Sequence, residues 1–278
     1  MLSYRHAFHA GNFADVLKHS VLHHVLNYMT EKEKGFSYID THSGAGMYKL
    51  QDEYAQKTGE YKQGIGKLYK APKLTPLLAD YVALIKSFNT QALALYPGSP
   101  AVAQYHARKQ DSARLFELHN TDISLLEQFC DHWKQASVFQ KDGYAGLVRQ
   151  LPPPTRRAVV LIDPPFEIKN DYQKAVDAVI KAYKKFATGT YIIWYPIVQR
   201  HYIDTMEAAI SSSQLSNVMK VELCLSPDSE QYGMTGTGLF IVNPPWQLAS
   251  ELESALPQLK TLLGTEQSSY TLDMLVPE

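Results

Sequence analysis

Residues 158–167 read AVVLIDPPFE, five apolar residues running straight into an aspartate, two prolines and a phenylalanine. Such an apolar run bounded by turn residues has the length and character of a buried strand. Proline brings no N–H to a strand ladder, so the strand must stop near Asp163. In an open α/β sheet the carboxyl ends of the strands are where ligands bind, and Asp163 would stand at such an end. A strand followed by a stiff turn explains the prolines. It leaves the aspartate, and the aromatic side chain after it, without a reason.

Working outward from this stretch, strands and helices alternate with a regular rhythm. FSYIDTHSGAG (36–46) reads as a strand entering a glycine-rich turn, after a helix over 13–29 with apolar residues at helical spacing. A helix at 100–110 leads to the strand SARLFEL and the helix TDISLLEQFCDHW. The strand SVFQKDG and the short helix YAGLVRQL follow. After AVVLID come the helix DYQKAVDAVIKAYKKFATG, the strand TYIIWYPIV and the helix HYIDTMEAAISSS. Repeated units of this kind imply a parallel sheet with helices on both faces. The end breaks the pattern: VMKVELCLSPD and LFIVNPPW are joined through GMTGTG, which predicts a hairpin and a last strand antiparallel to the others. A mostly parallel α/β sheet finished by an antiparallel hairpin strand is the Rossmann-like organisation of class I S-adenosylmethionine-dependent methyltransferases. Residues 51–96 interrupt the rhythm with helical pieces, six lysines and four acids, and read as a helical insertion.

The composition narrows the class. At 45% hydrophobic and 20% charged residues the chain is an ordinary globular sequence, long enough at 278 residues for a large core. No apolar run reaches the roughly 18 residues that a membrane helix requires. The start, MLSYRHAFHAGN, lacks the pattern of a secretory signal, so the expected compartment is the cytoplasm. The two cysteines, Cys130 and Cys224, are far apart and fit neither a disulfide framework nor a thiolate zinc site. Charge is uneven: residues 221–278 hold one basic residue, Lys260, and eight acidic ones, although the whole chain carries a net charge of −1. A local basic face is therefore compatible with a neutral total.

The later strands end in acids as well. Glu117 closes SARLFE, where a carboxylate can accept from two ribose hydroxyls. Asp142-Gly143 closes SVFQKDG, where a side chain and a backbone amide can hold an adenine edge. Strand-terminal acids also serve as helix N-caps, and a glycine turn such as the one holding Gly44 is often only a tight turn. Their recurrence on consecutive strand ends is harder to explain by capping alone.

This order of motifs resembles S-adenosylmethionine-dependent methyltransferases, and Asp163-Pro164-Pro165-Phe166 resembles their [D/N]-P-P-[Y/F/W] motif for methylating an amino group. The lone pair of adenine N6 is delocalised into the ring. Acceptors at the Asp163 carboxylate and the Pro164 carbonyl would favour the pyramidal amine and support its developing positive charge. Phe166 would stack on a base flipped out of its helix or loop. A second match, Asn243-Pro244-Pro245-Trp246, ends the antiparallel strand and so faces the opposite edge; a structural role is expected for it, with Trp246 packing.

A narrower resemblance rests on Tyr4-Arg5-His6-Ala7-Phe8-His9-Ala10-Gly11-Asn12 and its continuation through Lys18 and His19, with DTHSGAG, TGEY (58–61), YPGSP (96–100), IDPPF, ATGTYIIWYP (187–196), GMTGTG and VNPPW. Over essentially the whole chain these strings resemble the RlmJ-type 23S ribosomal RNA adenine-N6-methyltransferase family. The resemblance implies S-adenosylmethionine as cofactor, held by His19, His42, Gly44, Ser99, Glu117, Asp142, Gly143 and Asp163. It implies that Tyr4, His6 and Lys18 approach the target base or its phosphate, and that Asp163, Pro164 and Phe166 form the catalytic motif. Phe166 departs from the family's tyrosine, which keeps the stacking surface and loses the phenol. It further implies a methyltransferase core of residues 1–50 and 97–278, with 1–20 as an N-terminal active-site segment and 51–96 as the insertion.

The expected partner is 23S ribosomal RNA, free or in an early particle, met by a monomer without a membrane or a metal. The histidines 6, 9, 19, 23 and 24 lack the carboxylate spacing of a metal helix. The competing readings are a guanine-N2 ribosomal RNA methyltransferase, a DNA adenine-N6 methyltransferase and a catalytically silent RNA-binding assembly factor.

Overall fold

A computed structural model describes residues 5–229 and 233–278. A 3-10 turn at His6–Phe8 leads into α1 (Phe13–Thr30). Asn12 starts that helix because its Oδ1 accepts the Asp15 N–H at 3.0 Å, satisfying a donor that the first turn leaves over. From Ala14 to His23 every residue of α1 is buried, so it is a central helix and not a surface one. β1 (Ser37–Asp40) and β2 (Met47–Lys49) follow. The insertion contributes α2 (Glu53–Thr58), α3 (Ile65–Lys70) and α4 (Pro76–Ser87), and returns through β3 (Leu95–Pro97). β3 pairs antiparallel with β2, so the three helices leave and re-enter through a two-stranded neck.

The alternation then runs α5 (Ser99–His106), β4 (Ser112–Phe116), α6 (Asn120–Cys130), β5 (Ala136–Phe139), α7 (Gly143–Leu147), β6 (Ala158–Ile162), α8 (Asp171–Lys185), β7 (Thr190–Ile197) and α9 (Arg200–Ser211). The chain finishes with β8 (Val218–Cys224), β9 (Gly236–Val242), α10 (Leu248–Leu263) and β10 (Ser269–Val276). Eight strands make one sheet in the order β10-β8-β9-β7-β6-β1-β4-β5. β5, β4, β1, β6 and β7 are parallel, whereas β9 runs against both β7 and β8 and lies between them. This is the class I methyltransferase arrangement. One face of the sheet packs on α1, α5 and α10, with α4 laid over α1 and α10, and the other face packs on α8 and α9.

Three features differ from the sequence reading. The expected hairpin exists, but α10 follows it and β10 then adds a further edge strand antiparallel to β8. The sequence reading assigns no element to residues 47–50 and only helices to 51–96, whereas Met47–Lys49 and Leu95–Pro97 form the neck β2–β3. Trp246 does not pack: it is 78% exposed. The structural work of Asn243-Pro244-Pro245-Trp246 falls instead to Asn243, which takes a left-handed φ of 52°. Its Nδ2 donates to the Ala187 and Gly189 carbonyls, both at 2.8 Å, tying the end of β9 to the approach to β7.

Candidate active site

The register of the parallel strands gathers four acids on one edge. Along the neighbours β5, β4, β1 and β6 these are Asp142, Glu117, Asp40 and Asp163, at or just beyond the strand ends. The glycine turn after β1 folds onto them. Gly44 has φ +60°, a conformation that side chains avoid, and its N–H donates to Glu117 Oε2 at 2.8 Å. Glu117 Oε1 accepts from the His119 N–H at 2.7 Å, so two backbone donors fix this carboxylate. Burial raises its pKa against those donors. Asp142 does cap a helix, since its Oδ1 accepts the Ala145 N–H at 3.0 Å, yet it also lines the cavity. Gly143 is required by close approach: a Cβ there would lie 2.0 Å from the Thr41 carbonyl oxygen.

Asp40 was not singled out from the sequence. It is fully buried and accepts from the Ser99 hydroxyl (2.6 Å), the Tyr38 hydroxyl (2.8 Å) and the His42 N–H (3.2 Å), with burial pushing its pKa up to about 6. The Ser99 side chain is thus directed at Asp40, which holds the start of α5 against β1. His19 Nδ1 lies 2.8 Å from the Tyr96 hydroxyl, itself 2.8 Å from Tyr81 of the insertion. Burial lowers His19 to about 3 and His42 to about 4, so both rings are neutral at physiological pH.

His19, His42, Gly44, Ser99, Glu117, Asp142, Gly143 and Asp163 all line one cavity, together with His6, Lys18 and Pro164. Its donor set fits S-adenosylmethionine. The fixed Glu117 carboxylate suits a diol, and the Tyr144 hydroxyl, beside His42, is buried with no hydrogen-bond partner among the described residues. Leu118 and Ile168, both exposed for apolar residues, offer surface that a purine face would cover. Neither residue carried a sequence signal beyond following Glu117 or the Pro-Pro turn. Among the described residues no group of three or more His, Cys, Asp or Glu side chains is placed to hold a metal ion.

A second cavity opens on the other side of Asp163. Its walls include Phe166, Trp194, Pro196 and Phe13, and the two cavities share His6, Lys18, Asp163 and Pro165. Phe166 is held at φ 51°, with its ring centroid 4.5 Å from that of Tyr172 and 5.6 Å from that of Trp194. A non-glycine residue kept in that region signals a constraint imposed by its surroundings. On the shared wall, Lys18 Nζ donates to Asp163 Oδ2 at 2.6 Å and lies 2.9 Å from Asp15 Oδ1. Its ammonium also sits 5.1 Å from the Trp194 ring centroid. Burial would drive the Lys18 pKa down, but the two carboxylates overcome it and hold it above its usual value. Asp163 is raised by burial, against the opposing pull of Lys18 and His6. Tyr4 lies outside the described residues.

The comparisons with known proteins fit this geometry. A family model described as Ribosomal RNA large subunit methyltransferase D, RlmJ, matches residues 33–276. Two proteins named ribosomal RNA large subunit methyltransferase J align over the full length of both chains. That of Escherichia coli (strain K12) is 43% identical over 280 residues. That of Haemophilus influenzae (strain ATCC 51907 / DSM 11121 / KW20 / Rd) is 45% identical over 281. The crystal structure of protein LPL1258 from Legionella pneumophila str. Philadelphia 1 superposes with a TM-score of 0.89 at 38% identity, covering 96% of this chain and 98% of that one. Because the matched region carries the whole acid-lined edge of the sheet, from the turn after β1 to the Asp-Pro-Pro-Phe turn after β6, the chain belongs to the ribosomal RNA large subunit methyltransferase J family.

Proposed function

We propose that this chain transfers the methyl group of S-adenosylmethionine to N6 of an adenine in large-subunit ribosomal RNA. The observation that carries the reading is the meeting of two cavities at Asp163, one lined by strand-end acids and the other by aromatic side chains. S-adenosylmethionine supplies an electrophilic methyl on a sulfonium. The protein's part is to bring a weak amine nucleophile into line with it and to support the charge that the amine acquires. Lys18 occupies one oxygen of Asp163, leaving Oδ1 to accept one N6 hydrogen while the Pro164 carbonyl accepts the other. Phe166 and Trp194 give the flipped base a flat apolar wall. Glu117 and Asp142 hold the ribose and adenine ends of the cofactor, and His19, neutral, adds no positive charge beside the sulfonium. In this reading the enzyme acts as a cytoplasmic monomer on 23S ribosomal RNA, free or in an early particle.

The test is transfer of labelled methyl to unmodified 23S ribosomal RNA, followed by digestion and nucleoside mass analysis. N6-methyladenosine, absent with Asp163→Ala, is the expected product. N2-methylguanosine would overturn the base assignment, and would do so at the position where Phe166 departs from the family's tyrosine.

A further inference from the structure

Asp15 is a buried carboxylate that the reaction as described does not use. It is 1% exposed, and its oxygens are fully engaged. Oδ1 lies 2.9 Å from Lys18 Nζ, while Oδ2 accepts the Gly11 N–H at 2.9 Å and lies 2.9 Å from His6 Nε2. Asn12 fixes it from the backbone side through the helix cap. A continuous chain of contacts thus runs from Asp15 through Lys18 to Asp163, the last link being 2.6 Å.

The charges in that chain matter for the chemistry beside it. Asp15, Lys18 and Asp163 among themselves carry one negative charge, before any contribution from His6, next to the point where a sulfonium and an amine would meet. Were Lys18 paired with Asp163 alone, the two would cancel. The acceptor oxygens of Asp163 would then face a cationic transition state with much of their field spent on the lysine. Asp15 takes up that ammonium from the far side.

We propose that Asp15 is a positioning residue for methyl transfer: by sharing the Lys18 ammonium from the far side, it holds Asp163 in place and keeps the lysine from cancelling that carboxylate's field. The role rests on the methyl-transfer reading of Asp163. The groups that face Asp163 are Lys18, His6 and Asp15 from the N-terminal segment and α1, Tyr38 and Asp40 from β1, and Tyr144 from α7. Asp15 raises the pKa of Asp163 and Lys18 lowers it, so deleting either charge has a defined sign.

The test is the pH profile of kcat on unmodified 23S ribosomal RNA with saturating S-adenosylmethionine, for the wild type, Asp15→Asn and Lys18→Met. The transfer needs Asp163 ionised, so its pKa sets the acid limb. Asp15→Asn is expected to move that limb to lower pH. It should also cut the plateau roughly tenfold, the scale of one weakened charge-assisted contact. Lys18→Met should move the limb the opposite way. If Asp15→Asn folds poorly, as its melting curve would reveal, Asp15→Ser removes the same charge with less bulk, and Lys18→Met reads the chain from its other end. Limbs that stay put, or that shift together in one direction, would overturn the role of Asp15, since a merely loosened helix start has no reason to move them oppositely. A wild type without turnover in the same assay would sink the methyl-transfer reading itself.

Discussion

At the scale of single residues, the site depends on carboxylates whose partners are already in place. Asp163→Ala removes the acceptor that both cavities share and leaves Lys18 without its closest partner. Turnover is expected to fall by about 10²–10³, the cost of deleting one preorganised electrostatic contact in a buried site. Circular dichroism should show the fold unchanged, and a variant turning over near normally would remove Asp163 from its role. Glu117→Ala should leave the chemistry poised but weaken S-adenosylmethionine binding by about tenfold or more, because charge-assisted hydrogen bonds contribute about 1.5–3 kcal/mol each. Calorimetric titration reads that directly, and an unchanged affinity would contradict the diol assignment. These two acids were legible in the sequence because each ends an apolar run and breaks its pattern. Asp15 and Asp40 were not. Asp15 lies in the first turn of a helix, where an acid is ordinary, and nothing local says that the helix is buried all round. Asp40 was quoted as part of the glycine turn, but its three donors come from Tyr38, His42 and the distant Ser99, a set that only the fold assembles.

At the scale of elements, α1 is the piece that joins fold to chemistry. It carries Lys18 and His19 into the site, and its start is fixed by Asn12, whose Oδ1 caps the helix while its Nδ2 donates to Glu60 of the insertion at 3.0 Å. Asn12→Ala loses both contacts. A stability loss of about 1–2 kcal/mol is expected from urea unfolding, at the upper end of the range for an N-cap. Since α1 then frays where Asp15 begins its contacts, kcat should fall more than the affinity for cofactor. A loss confined to stability would separate the cap from the site. The parallel strands and their helices were readable because uninterrupted apolar runs between turn signals have few other uses. α10 was not read because Pro257 stands inside it, a residue that argues against a helix interior. β10 carries no clear strand signal because it is an edge strand with both faces partly exposed, so it lacks the apolar alternation of a half-buried one. β2 and β3, three residues each, are too short to carry a periodic signal.

At the scale of the whole molecule, the uneven charge acquires a direction. The acidic C-terminal stretch builds β8, β9, α10 and β10, most of it at the sheet edge farthest from β4 and β5, and gives the second cavity only the apolar Leu225, Met234 and Leu263, whereas the insertion gives it a polar rim. Thr58, Gly59, Glu60 and Gln63 line that cavity, and the exposed Lys57 and Lys62 flank them in the chain. The insertion is fastened to the N-terminal segment that supplies His6: the Thr58 hydroxyl donates to the Phe8 carbonyl, the Ile65 N–H donates to the Gly11 carbonyl at 2.8 Å, and His9 pairs with Glu60 at 3.0 Å. A base entering the second cavity brings its backbone phosphates past this rim, where two lysines can neutralise them without touching the cofactor. Reversing both, as Lys57→Glu with Lys62→Glu, should therefore raise the RNA KM, and leave the affinity for S-adenosylmethionine unchanged. Binding measured across a salt series should also lose about 0.7–0.9 in the slope of log K against log [salt] for each phosphate contact removed. If the slope is unaltered while KM rises, the insertion acts through the pose of the N-terminal segment rather than by meeting phosphate. If neither changes, the RNA approaches from another side of the sheet edge, and the basic excess of the first 220 residues serves only to balance the acidic end of the chain.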